Sequence, residues 1–275
     1  MNLTSQLRVV WAEFRKTTAI WLSYPALVFF WAIFPLLWVF PYVFQGKALV
    51  GSMSSAAFEH LTGSGNYLAF VMIGAMVSTF IFSGLWGVGN SLREETYWGT
   101  MEYIIASPTH PLVVLIGKTV AEAAWTSLMV VFQAVVIGSF FGVQFTLAKV
   151  LPVLLLIGLL MVGFYGFAIA FAGFTLLIKE VHGWVHTLEW VFFLFSPIRY
   201  PVEVHPVTRL VSTLIPLTWA LVAIRGIMLL NRREVNLWPT VLVLVLMDGV
   251  LLWAGYFLFV ALERKTRRDG TVGMH

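Results

Sequence analysis

Cysteine is missing altogether from this 275-residue chain. That excludes a disulfide framework, thiolate catalysis and a cysteine-ligated metal. Charge is scarce as well: Asp, Glu, Lys and Arg make up 11% of residues, against 60% hydrophobic and 16% aromatic. A soluble domain carries about a quarter charged residues. A chain this poor in charge could not cover a water-facing surface. With a mean hydropathy of +0.89, it reads as an all-α polytopic membrane protein. The first apolar run lacks a small-x-small cleavage site at its end, so no secretory signal is expected. The small basic excess, +4, points to anionic lipid headgroups rather than nucleic acid.

What is present is a series of long apolar runs. Six spans are expected: Pro25–Phe44, Tyr67–Gly89, Leu112–Phe141, Val150–Ile178, Trp184–Phe195 and Leu237–Val260. Pro35 should kink the first. The second is rich in Gly and Ser (Gly74, Ser78, Ser83, Gly84, Gly87, Gly89), which favours close helix packing. Ahead of them, residues 1–24 read as an amphipathic interfacial helix. Leu3, Leu7, Val10, Trp11 and Phe14 form its apolar stripe, and Arg8, Arg15 and Lys16 turn to the headgroups. The transmembrane domain then covers 25–262, and 263–275 is a basic tail. Between spans five and six, residues 196–230 are broken by Pro201, Pro206 and Pro216. Neither half is long enough to span, so two short re-entrant or interfacial helices are expected there. Lys and Arg set the orientation. Arg8, Arg15, Lys16, Arg93, Lys118, Lys179, Arg264, Lys265, Arg267 and Arg268 fall on the side of the termini. Lys47, Lys149, Arg199, Arg209, Arg225, Arg232 and Arg233 fall opposite. Both termini are therefore expected in the cytoplasm, in a multi-pass cell membrane protein.

One polar island interrupts this pattern, about 91–107, with Arg93, Glu94, Glu95 and Glu102 close together. Ser91 and Glu94 have capping-box spacing. Gly99 should break the helix they start, Thr100 should cap a second one, and Pro108 and Pro111 should close it. A segment punctuated in this way is a short rigid element rather than a tether.

The run R-E-E-x-x-x-G-T-M-E-Y-I-I-A-S-P, followed by Gly117-Lys118, resembles the cytoplasmic motif of type-two ATP-binding-cassette (ABC) transporter permeases. The family's second region is matched by Ser196, Pro201, Pro206, Pro216-Leu217-Thr218 and Ala223-Ile224-Arg225. Pro197 stands where the usual pattern has Gly. The resemblance implies the membrane subunit of an ABC exporter. It would act as a dimer with a second copy of itself and move a hydrophobic or amphiphilic small molecule, lipid or lipid-linked glycan. It also implies that the island is a coupling helix docking on a separate ATPase subunit through Arg93, Glu94, Glu95, Gly99, Thr100 and Glu102. ATP and Mg would sit on that subunit; this chain would hold no cofactor and no catalytic residue. Gly117-Lys118-Thr119 is not a phosphate-binding loop, because Leu112 stands where the motif needs Gly. Lys118 and Glu122, one turn apart, are expected to pair.

His182 and His186 have zinc-helix spacing, but Gly183 stands in place of the catalytic Glu, so no metal site is expected. Asp248 lies mid-span, roughly 16 Å from either end. It is either a cation or proton site, or a protonated acid hydrogen-bonded between helices, with Gln133 as partner. Glu189 is a weaker case nearer the interface. An alternative reading is an ion-coupled carrier built on Asp248. That architecture should show mirrored broken spans, and only 196–230 is broken. Trp21, Trp31 and Trp38, with Phe29, Phe30, Phe34 and Phe40, crowd the first span as belt anchors or as the wall of a path.

Overall fold

The computed structural model describes residues 3–50, 56–141, 146–178, 181–202, 205–229 and 237–269. Lys179, Arg232, Arg233 and the end of the tail lie outside them. All regular elements among them are helical.

Helix α1 (Leu3–Ser23) meets α2 (Pro25–Val50) at an 89° bend. Pro25 explains the break: it has no N–H to continue the first helix, and its fixed φ suits the start of the next. Pro35 and Pro41 both lie inside α2, which continues through them. After α3 (Ala56–Thr62), Asn66 caps α4 (Tyr67–Phe82) by accepting from the Ala69 N–H at 2.9 Å. A π-helical turn, Ser83–Gly89, extends α4 into α5 (Ser91–Tyr97), followed by α6 (Met101–Ala106). Two long helices come next, α7 (Pro111–Phe141) and α8 (Leu147–Thr175). The second half holds α9 (Val181–Phe195), α10 (Pro206–Ser212), α11 (Pro216–Met228) and α12 (Trp238–Asp269).

Four helices are long and apolar enough to cross a membrane: Tyr67–Gly89, Pro111–Ser139, Ala148–Thr175 and Trp238–Thr266. The bent pairs α1–α2 and α10–α11 raise the number to at most six. The expected fifth span is α9, whose 15 residues cover only about 22 Å, short of a roughly 30 Å hydrocarbon core. The two expected short helices after it are present as α10 and α11, bent by 97°. Pro206 and Pro216 open them at the first helical turn. The sixth span differs from expectation at its end. The helix runs to Asp269, because Glu263 and Thr266 still bury against the bundle.

The core is built around α4, whose residues from Ala69 to Phe82 are all buried. Helices α2, α7, α8, α9 and α11 surround it. Helix α12 lies along α8, where glycines bring the backbones together: a Cβ on Gly166 would stand 3.0 Å from Leu252 N, and one on Gly173 2.9 Å from Phe259 Cα. Helix α1 lies on α7, where a Cβ on Gly117 would meet Val10 Cα at 3.1 Å. The polar side of α1 is therefore not all directed at headgroups. Glu13 and Thr17 are buried against α7, while Leu3, Leu7 and Trp11 remain exposed.

Candidate functional site: the α5–α6 element and the polar contacts behind it

The α5–α6 element hangs from α4 through the π-helical turn and a single turn residue, Asn90. Asn90, not Ser91, stands ahead of α5, and its carbonyl accepts from the Glu94 N–H at 3.0 Å. The expected capping box therefore does not form: the Ser91 hydroxyl donates back to Val88 O at 2.7 Å. The end of α5 does follow the expectation. Gly99 adopts φ +72°. Its N–H donates to Thr96 O at 3.1 Å and that of Thr100 donates to Glu95 O at 2.9 Å, the paired bonds of a glycine-terminated helix. Thr100 does not cap α6 with its side chain. Its hydroxyl donates to the Glu95 carboxylate at 2.5 Å, tying α6 to α5.

The element is anchored on one side and bare on the other. Leu92 and Met101 are buried in a cluster with Leu115 of α7, Tyr165, Ala168 and Ala172 of α8, and Phe259 of α12. On the other side Glu94, Gly99, Thr100 and Glu102 are exposed, while Arg93 and Glu95 are half-buried. Tyr97, Trp98 and Tyr103 project with them, at 87%, 73% and 77% exposure. Exposed aromatics beside charges form the composition of a docking surface. Sequence reasoning passed over these three, because aromatics are common everywhere in this chain.

Charges tie the element to α1 and α7. Lys16 Nζ lies 2.7 Å from Glu95 Oε1 and 2.9 Å from Glu13 Oε1. Burial pulls the Lys16 ammonium down, but its hydrogen bonds to Glu95 and Glu13 outweigh that and hold it above its ordinary value. Burial pushes Glu95 up, but the bonds from Lys16 and Thr100 bring it below the usual carboxylate range. With the acid lowered and the base raised, the pair stays charged across neutral pH. Its contribution is lost only in acid, as pH falls through the Glu95 value, or in strong base, as pH rises through that of Lys16. Glu94 is exposed along one edge only; its other edge is withdrawn from water, which raises its carboxyl, with Lys118 pulling against it. Lys118 and Glu122 pair as expected, at 3.6 Å.

The broken region lies at the other end of α4, against its first turns. Arg225 is buried, yet its guanidinium is well supplied with acceptors. Nε and Nη2 donate to Phe70 O at 3.2 and 2.8 Å, Nη2 also to Ile198 O at 3.1 Å, and Nη1 to Pro197 O. Its carbon sits 3.4 Å from the Phe70 ring centroid. Irregular backbone buried among apolar helices needs partners for its carbonyls, and Arg225 supplies them. Ser196 and Pro201 are buried in the same break.

Gln133 and Asp248 do not meet. Gln133 accepts from Thr79 at 2.9 Å and donates to Ala32 O at 2.8 Å, joining α7 to α4 and α2. Asp248 faces Gly163 across the α8–α12 seam, and neither of its buried oxygens has a hydrogen-bond partner among the described residues. The expected bond fails because α12 packs on α8, not on α7. Glu189 accepts from Trp86 Nε1 at 2.5 Å and lies 3.0 Å from His186 Nδ1. Among the described residues, no group of three or more His, Asp or Glu is placed to hold a metal ion.

A family model described as ABC-2 type transporter matches residues 7–229. Among curated proteins, none matches the chain.

Proposed function

We propose a complete transport role for this chain, which belongs to the ABC-2 type transporter family and is a membrane permease subunit of an ABC transporter. It exports a hydrophobic or amphiphilic small molecule, lipid or lipid-linked glycan from the cell. Two copies form the pathway at their interface in the cytoplasmic membrane, with both termini inside. ATP and Mg bind to separate ATPase subunits, and α5–α6 is the coupling helix that receives their motion.

The observation that supports this most is the one-sided anchoring of α5–α6. Leu92 and Met101 hold it to three long helices, while a charged and aromatic surface stays open. Force applied there passes to α7, α8 and α12 through packed side chains, and to α1 through Lys16. An element able to carry force must be rigid, and the bonds around Gly99 and Thr100 make it so.

The test is co-purification with an ATPase chain, followed by substrate-stimulated ATP hydrolysis. Gly99→Pro should abolish the stimulation, because proline cannot adopt the positive φ or donate to Thr96. Glu94→Arg should do the same by reversing charge at the contact. Both variants should still fold in the membrane. Failure of any ATPase to co-purify, or unchanged stimulation in both variants, sinks the assignment.

A further inference from the structure

We propose that the cavity enclosed by α1, α2, α4 with its π-helical turn, and α7 binds an amphiphilic organic cation. The charge would lie beside Glu94 and Glu122, and the apolar body against Trp21, Trp31, Trp86 and Trp125. The cavity measures about 300 Å³, at the lower bound of small-molecule sites.

Its lining has two parts. One is an aromatic wall from four elements: Trp21 of α1, Trp31 of α2, Trp86 of the π-helical turn and Trp125 of α7. The other is acidic. Glu122 is 4% exposed and deep, Glu94 is exposed at the rim, and Lys118 is the single ammonium among the described residues that line the cavity. Lys118 lies 3.6 Å from Glu122, so two carboxylates face one cation. Trp21 and Glu122 line the cavity together, so an indole and the acid share its wall. The next layer, Glu13, Lys16 and Glu95, repeats the acidic excess. Indole faces attract cations most strongly where water is excluded. A phosphate-bearing amphiphile would meet the carboxylates, and a neutral one would leave the acidic excess unanswered.

Binding at this site stands independently of the transport reading. Only the claim that the cation is cargo rests on that reading. Glu94 belongs to both the cavity rim and the α5 surface, so an occupant would touch the element proposed to meet the ATPase.

The test uses the purified full chain in a neutral detergent, without any ATPase. The probe is tetraphenylphosphonium, followed by tryptophan quenching and equilibrium dialysis. Tetraphenylborate, of the same shape and opposite charge, is the control. Saturable binding of the cation alone is expected. Glu122→Gln should weaken it about ten-fold, with Trp125→Leu and Glu94→Gln each weakening it about three-fold. Tetraphenylborate saturating the chain as well as the cation does would overturn the proposal. So would wild-type affinity in both Glu122→Gln and Trp125→Leu. If Glu122→Gln fails to fold, the exposed Glu94→Gln decides by the same readings. Failure of any ATPase to co-purify, with cation binding intact, would count against the transport role and leave this site standing.

Discussion

Helices α4 and α12 are nearly equal in hydropathy, with spans of 2.1 and 2.2, yet 89% of the first is buried in protein and only 17% of the second. In lipid, hydropathy reports suitability for the bilayer, not for a neighbouring helix, because lipid tails are as apolar as leucine. Close approach and polar contacts distinguish the two. Around α4, Thr79 meets Gln133, Phe70 O meets Arg225, and Gly74 faces the chain break at Ile198. Helix α12 has a tight glycine seam against α8, but its other faces present Leu242, Leu246, Val250 and Trp253 outward. Its one mid-span acid, Asp248, has no hydrogen-bond partner among the described residues.

Substitutions can break this contrast. The largest effect is expected at Gly74→Ala. The new Cβ would collide with the Ile198 carbonyl and stand 2.7 Å from Arg225 Nη2. Backbone cannot yield as a flexible side chain can, so at least about 3 kcal/mol is lost. No monodisperse protein should be recovered on size exclusion. Next comes Arg225→Met, which strips the carbonyls of Phe70, Pro197 and Ile198 of a shared donor. It should cost about 2–3 kcal/mol, seen as a lower melting temperature in detergent.

On α12 the signs differ. Asp248→Ala removes a buried carboxyl without a hydrogen-bond partner and should raise stability by about 1 kcal/mol. A loss instead would reveal a partner for Asp248 in the assembled transporter. Gly249→Ala is the smallest: nothing lies within 4 Å of its added Cβ, so helix propensity alone acts. A gain of up to about 1 kcal/mol is expected, and a measurable drop in melting temperature would show that this face is covered.

Much of the candidate site was legible in the sequence because it is punctuated. Gly99 signals a positive φ, and Pro111, Pro206 and Pro216 mark helix starts, since each acts through its own backbone. The capping box misled for a related reason. Ser91 and Glu94 have the right spacing, but Asn90 stands ahead of α5, so Ser91 is already inside the helix and its hydroxyl turns back to Val88 O. The exposure of Tyr97, Trp98 and Tyr103 could not be read, because in a chain so rich in aromatics their type carries little information.

The sequence by itself determined the class: helical, multi-pass, without cysteine chemistry, with one structured polar island and one proline-broken region. These follow from composition and from local backbone rules. Only the tertiary structure decided that Gln133 serves α4 and α2 while Asp248 faces α8, that Arg225 closes the broken backbone, and that Lys16 joins α1 to the α5–α6 element. Helices apolar on every face carry no amphipathic signal to say which side meets which neighbour. That choice belongs to small residues and polar partners far apart in the chain.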